Sequence, residues 1–236
     1  MRIQRTVRAV AVGLTLAIAA AACSTTTSSA PAGQASPMAT NSMDHGTMTS
    51  IDAGAAGLQQ TLTDLFDSHV YLASIAISTG LSAGLDSKEF TAAAGALDQN
   101  SQDLAAAVGS VYGDDAGTQF LALWRKHIGF FVDYTAGKAT GDEQMASKAL
   151  KSLDQYRQDF GAFIESATDG NLSADATAEA LQMHVNSLID AIDLAVAGNT
   201  DVFAAIYTAA HEHMPATATA LAGAIAAQMP EQFPAS

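Results

Sequence analysis

The chain has 236 residues, of which 49% are hydrophobic and only 14% are charged, and its formal net charge is −14. A surface this acidic repels the phosphate backbone, so the charge excludes a nucleic-acid-binding function. The single cysteine has no second cysteine with which to form an intrachain disulfide.

Residues 1–22 have the layout of a secretion signal. A basic start with three arginines is followed by a 14-residue apolar run, Ala9 to Ala22, and small residues lead to Cys23. The run is too short to span a bilayer comfortably as a permanent helix. Removing it leaves seven basic against 24 acidic residues, a net charge of −17.

The Ala-Ala-Ala-Cys ending of this segment resembles the lipobox of bacterial lipoproteins, although Ala20 replaces the usual leucine. The resemblance implies that Cys23 is lipid-modified and becomes the new N-terminus. It implies an exported protein that is anchored to the bacterial cell membrane and faces the extracytoplasmic side. The alternative is an ordinary signal peptide followed by an incidental cysteine.

Residues 23–53 contain Ser, Thr, Ala, Pro, Gly and Met but almost no large apolar residue, which predicts a flexible tether. Within it, Met43, His45 and Met48 bring together thioether and imidazole groups, which favour copper and particularly Cu(I). The string resembles the Met/His-rich stretches of exported copper-resistance proteins. The alternative is a chance cluster in a low-complexity linker.

From residue 54 to residue 236 the composition changes to Ala, Leu, Ile and Phe at helical spacing, while strand patterns are nearly absent. The spacing predicts an all-α domain, a bundle of about six helices joined by short loops. Asp86 with Glu89 predicts a capping box at the second helix, and Thr140 with Glu143 predicts one at the fourth. Gly137 is predicted to end the third helix.

The predicted helices carry an internal repeat. His69, His127 and His184 follow one another at spacings of 58 and 57 residues in similar surroundings. On the intervening helices, Asn100, Tyr156 and His213 occupy corresponding positions, at spacings of 56 and 57 residues. The periodicity predicts three repeated helical hairpins.

Helical spacing places His69, His127, His184 and His213 on apolar, inward-facing stripes. Burying four imidazoles costs free energy unless each is hydrogen-bonded or all share a ligand. A shared metal ion, copper or alternatively zinc, satisfies this requirement, so all four are candidate ligands. The alternative is a set of structural core histidines, each bonded to a carbonyl or hydroxyl group.

His211 is a further candidate ligand because it lies two residues before His213, in His-Glu-His-Met-Pro. The ring of Pro215 collides with the carbonyl group of His211, so we expect a kink there. The alternative is a proline bend with one histidine inward and the other at the surface.

Four stretches together resemble an uncharacterised bacterial family of exported, often lipid-anchored, six-helix proteins with repeated histidine-bearing helices. They are Leu65–Val70, Leu123–Ile128, Ala210–Met214 and Gln228–Phe233. The resemblance implies the helical fold and the histidine positions, without a settled activity. Tyr156 departs from the pattern, since Asn100 leads us to expect asparagine there.

No pair of Glu-x-x-His sequences and no Gly-x-Ser-x-Gly is present, so we predict no enzyme activity. The leading hypothesis is an extracytoplasmic lipoprotein that binds metal ions, copper above all, for sequestration or transfer. The first alternative is a non-catalytic scaffold or partner-binding lipoprotein with structural histidines. The second is a bundle that binds a small molecule in a pocket beside Trp124 and Tyr156.

Overall fold

The structure, a computed structural model, describes residues 54–233. The predictions made for the secretion signal, for Cys23 and for Met43, His45 and Met48 lie outside these residues. Helices α1 to α5 span Ala55–Ala83, Lys88–Tyr112, Asp114–Thr140, Glu143–Ala167 and Ala174–Val196. A sixth rod follows, made of α6 (Val202–Thr208), a π-helical segment (Ala209–His213) and α7 (Met214–Gln228).

The prediction of an all-α bundle of about six helices is confirmed, and residues 54–233 contain no strand. Consecutive helices pack against each other, and α7 packs back against α1, so the rods form a closed ring. The odd-numbered helices α1, α3 and α5 also contact one another. They form the inner layer, and α2, α4 and the sixth rod pack outside them. In the described part, none of the helices is long and apolar enough to cross a membrane.

The predicted caps of α2 and α4 and the predicted end of α3 at Gly137 are wrong, by one, two and four residues respectively. The cap of α2 is Ser87, whose side chain accepts a hydrogen bond from the backbone N–H of Phe90. Helix α3 continues to Thr140, and Gly141 ends it in the left-handed conformation with φ 73°. Asp142 then caps α4, because its carboxylate accepts from two backbone N–H groups at the start of that helix. Asp142, which follows Gly141, therefore has the capping role that was predicted for Thr140.

The sixth rod widens into a π turn immediately before Pro215. Proline donates no backbone hydrogen bond and its ring clashes with the carbonyl group four residues earlier, that of His211. Thr208 and Met214, on either side of the π turn, both keep right-handed helical backbone angles. The disturbance predicted at His211 therefore takes the form of a widened turn within a continuous rod.

Candidate metal centre

His69, His127 and His184 meet in the centre of the bundle. Each is contributed by one helix of the inner layer, α1, α3 and α5 respectively, and their side chains are 1%, 3% and 4% exposed. One ring nitrogen from each lies within 4.8 Å of the other two. We call these three residues the histidine triad. They can hold a metal ion, because the repeat places them at equal depth and the contacts of the inner helices bring them together.

The spacing within the triad is close to that of a coordination sphere. The Nε2 atoms of His69 and His127 are 3.4 Å apart. Two imidazole nitrogens bound to one ion at about 2.0 Å, in trigonal or tetrahedral geometry, are separated by roughly 3.3–3.5 Å. A ring nitrogen of His184 lies within 4.8 Å of one from each of the other two, so small side-chain movements would bring all three within reach of one ion.

The triad is the centre of a group of buried polar atoms that lack hydrogen bonds. The Nδ1 atom of each of the three imidazoles finds no hydrogen-bond partner among residues 54–233. Within the same described residues, the side-chain oxygen of Asn100, the Nε1 of Trp124 and the hydroxyl oxygen of Tyr156 also have none. Each such atom costs about 1–3 kcal/mol, and native proteins contain few of them. Asn100 and the backbone of Trp124 nevertheless lie close enough to raise the pKa of His69 and of His127 by hydrogen bonding, so two of the three imidazoles have a polar group beside them.

Aromatic rings enclose the triad. The ring of Trp124 lies 4.9 Å from that of His69 and 4.5 Å from that of His127, measured between centroids. Tyr156 stacks on His127 at 4.9 Å with an interplanar angle of 28°. These rings shield the imidazoles from water and restrict their rotation.

The imidazoles are held in the neutral form. Burial lowers the pKa of His69 to about 3, with a further lowering by His184 and a smaller opposing effect of Asn100. Burial, and then the proximity of His213, lowers the pKa of His184 to about 4. The pKa of His127 is also well below its ordinary value, because of burial and then the two neighbouring imidazoles. Metal ligands must be deprotonated, so the triad can bind a cation at neutral pH without first losing a proton.

The repeat also extends to the residues behind the triad. The buried side chain of Asn100 donates to the carbonyl oxygen of Leu65 (3.0 Å) and influences the pKa of His69. Its counterpart Tyr156 stacks on His127, as described above, and the third counterpart, His213, influences the pKa of His184. The outer helix of each hairpin thus supplies one polar neighbour to the inner histidine. The tyrosine keeps this position through ring stacking, while its hydroxyl group gains no partner within the described range.

His211 and His213 lie outside the group of three. His211 is exposed, and its Nε2 is 2.9 Å from the hydroxyl oxygen of Tyr71. His213, which we expected to face fully inward, is half-buried, and its Nδ1 is 3.0 Å from the hydroxyl oxygen of Ser187. The π turn and the neighbouring polar side chains direct these two imidazoles to opposite neighbours, α1 and α5.

A cavity of about 350 Å³ adjoins the triad on the side of His69 and His127. Its lining includes neither Trp124 nor Tyr156, the residues beside which sequence reasoning placed a pocket. Trp124 instead borders a space of about 70 Å³ together with His184. The 350 Å³ cavity was not predicted, because it depends on how α1, α2 and α3 pack.

The chain was compared with models of protein families, with curated proteins and with solved structures, and none of the three comparisons gave a match. The family resemblance inferred from four short stretches therefore stays a prediction.

Proposed function

We propose that the protein binds copper, as a lipoprotein that faces the extracytoplasmic side and sequesters the ion or passes it on. The observation that carries this proposal is the convergence of three buried, neutral imidazole nitrogens within 4.8 Å. Structural core histidines normally bond to separate carbonyl or hydroxyl groups, whereas the Nε2 atoms of His69 and His127 face each other at 3.4 Å, as two ligands of one ion do.

Charge favours Cu(I) over divalent ions at this position. The ligand group consists of three neutral imidazoles. The free energy of placing an ion in a low-dielectric core rises with the square of its charge, so a divalent ion costs about four times as much as a monovalent one. Three neutral imidazoles bring no negative charge to balance Zn²⁺ in the buried core, which makes zinc the less favoured alternative.

Met43, His45 and Met48 would form the capture part of this function. Thioether ligands select Cu(I) over zinc, calcium and magnesium. A segment with these ligands that follows a lipid-anchored Cys23 would collect ions near the membrane and deliver them to the triad. The membrane would be reached through the lipid alone, and we propose no enzymatic step.

The test is a Cu(I) titration of the mature chain, carried out under anaerobic reducing conditions with a competing chelator. Cys23→Ser removes the thiol, so that it cannot contribute to binding. We expect one tight site, whose affinity for Cu(I) falls by more than about 100-fold in His127→Leu and in His184→Leu. Loss of a residue that only hydrogen-bonds a metal ligand already lowers metal affinity by about 10–100-fold, so loss of a ligand should lower it further. Zn²⁺ is titrated in parallel and should bind more weakly.

His211→Leu is the matched control, because it removes a histidine outside the triad and should leave the affinity unchanged. Met43→Leu combined with His45→Leu and Met48→Leu should remove a second, weaker site. If only this triple variant lowers binding, the chemistry is confined to the N-terminal segment. If the wild-type chain binds neither ion, the metal-binding function is wrong.

A groove of about 810 Å³ between α1, α5 and α6 favours a second candidate function, the binding of an apolar partner or small molecule. Ile75, Phe203 and Tyr207 line it and are 54%, 73% and 62% exposed. Clustered exposed apolar side chains mark interaction surfaces. A hydrophobic fluorescent dye should bind wild type and lose signal with Phe203→Ser; equal signals would remove this candidate.

A further inference from the structure

The 350 Å³ cavity lies between α1, α2 and α3, with one side chain contributed by α5. It is lined almost entirely by apolar atoms, from residues that include Ala73, Ala76, Phe90, Leu97, Ile128 and Leu188. Its volume exceeds the ~150 Å³ in which an apolar cavity accepts benzene, and lies at the lower end of the ~300–1,000 Å³ typical of small-molecule sites. It therefore has room for a molecule of one or two rings.

The cavity reaches two members of the triad. His69 and His127 both belong to its lining, and their Nε2 atoms are the pair that lie 3.4 Å apart. Thr135 is also a lining residue, but its hydroxyl group donates to the carbonyl oxygen of Phe131 at 2.8 Å. An occupant of the cavity thus meets two imidazoles and, along most of the remaining surface, carbon atoms.

The lining of the cavity also includes an ion pair, Arg125 with Asp98. Arg125 donates from Nε and Nη2 to the two carboxylate oxygens of Asp98, at 2.6 and 2.8 Å, and both side chains are nearly half exposed. Each charge compensates the other, so the pair offers no net charge to a solute. A charged ligand would lose its hydration in the apolar interior without compensation, so the cavity selects a neutral one.

Three imidazoles leave a fourth position of a tetrahedral ion open to another ligand. We propose that the cavity binds a small, neutral, mostly apolar molecule whose single nitrogen or sulfur donor atom reaches that position from the side of His69 and His127. This inference rests on the proposed metal-binding function. The inference adds a class of ligand to that function. The ion would be stored or transferred together with a neutral donor molecule.

The experiment uses two probes of nearly equal shape, 4-phenylimidazole, which has a basic donor nitrogen, and 2-phenylpyrrole, which has none. Each is titrated calorimetrically into the full mature chain, with and without bound Cu(I). We expect 2-phenylpyrrole to bind both forms equally, and 4-phenylimidazole to bind the Cu(I) form at least about tenfold more tightly than the metal-free form. Copper content after desalting shows whether the probe removes the ion.

Ala94→Leu extends a side chain from α2 into the cavity, since Ala94 is a lining residue. It should lower the affinity for both probes by at least about tenfold and leave the affinity for Cu(I) unchanged. Ala92→Leu is the matched control, because Ala92 is an exposed alanine of the same helix outside this lining, and it should change nothing.

The outcomes separate the two proposals. If Cu(I) binds but neither probe does, or Ala94→Leu has no effect on them, the cavity site is overturned and the metal site stands. Equal affinity of 4-phenylimidazole for both forms overturns the coordination of the donor atom. If Cu(I) itself does not bind, the proposed function falls, and the donor ligand falls with it.

Discussion

His69, His127 and His184 lie in the centre of the bundle, whereas His211 and His213 lie on the sixth rod, nearer the surface. The two outer imidazoles each have a hydroxyl group at hydrogen-bonding distance. The three inner ones are more deeply buried, and their Nδ1 atoms have no such partner among residues 54–233. Residues of one type, similarly recognisable in the sequence, thus differ in the partners that the fold gives them. The comparison teaches that the outer pair contacts hydroxyl groups of neighbouring helices, whereas two of the inner imidazoles face each other through Nε2, the arrangement on which the proposed metal site rests.

The largest expected effect is on the acid stability of the metal-free protein. Unfolding restores the pKa of the three inner imidazoles to the ordinary value of 6.5, so below that pH the unfolded chain binds protons that the folded chain does not. Stability is therefore full above this value and falls as the pH drops towards about 4, the folded-state pKa of His184. Between about pH 7 and about pH 5 the loss should be roughly 2 kcal/mol for each imidazole, or about 6 kcal/mol in total.

Denaturant unfolding at a series of pH values measures this slope. His184→Leu should reduce it by about a third, because it leaves two imidazoles that must remain neutral. A slope that is unchanged in this variant would contradict the burial of the triad in its neutral form.

The next effect is stabilisation by the ion. Cu(I) at about 1,000 times its dissociation constant should raise the free energy of unfolding by about 4 kcal/mol, because only the folded chain brings the three imidazoles together. Thermal unfolding with and without Cu(I) measures it. The Cu(I)-induced rise in the free energy of unfolding should vanish in His127→Leu and persist in His211→Leu. A rise of equal size in both variants would place the ion outside the triad.

A smaller effect, with opposite signs in the two regions, is expected from single leucine substitutions in the metal-free protein. His184→Leu replaces an imidazole whose Nδ1 has no hydrogen-bond partner among residues 54–233 by an apolar side chain of similar size, and should raise the free energy of unfolding by about 1–3 kcal/mol. His213→Leu loses the contact with Ser187 and should lower it by about 1 kcal/mol. Chemical denaturation at neutral pH gives both values. Destabilisation by His184→Leu would show that this histidine is a structural core residue.

The smallest effect concerns the exposed pair. Tyr71→Phe removes the hydroxyl group that lies 2.9 Å from the Nε2 of His211. Because Tyr71 is 38% exposed and water can replace it as a partner, we expect a loss of only about 0.5 kcal/mol and no change in Cu(I) affinity. A loss several times larger would mean that the surface histidines are as critical to the fold as the core.

The helical class and the depth of the inner histidines could be predicted from sequence, because periodicity of 3.6 residues identifies the buried face and the repeat equates three positions. The convergence of His69, His127 and His184 could not be, since it depends on contacts between α1, α3 and α5 that are far apart in the chain. The orientation of His213 also escaped prediction. A proline indicates a disturbed turn, but the choice between a kink and a π turn depends on partners such as Ser187 on another helix.

The contact of α7 with α1 has a consequence for how many hairpins this fold can contain. Repeat arrays that remain open expose an apolar face at each end and need special terminal repeats to cover it. Here the third hairpin covers the face that the first leaves open, so each hairpin is the cap of another. Tandem duplication of such a unit is complete at three copies, and a fourth would have to open the ring and separate the inner helices.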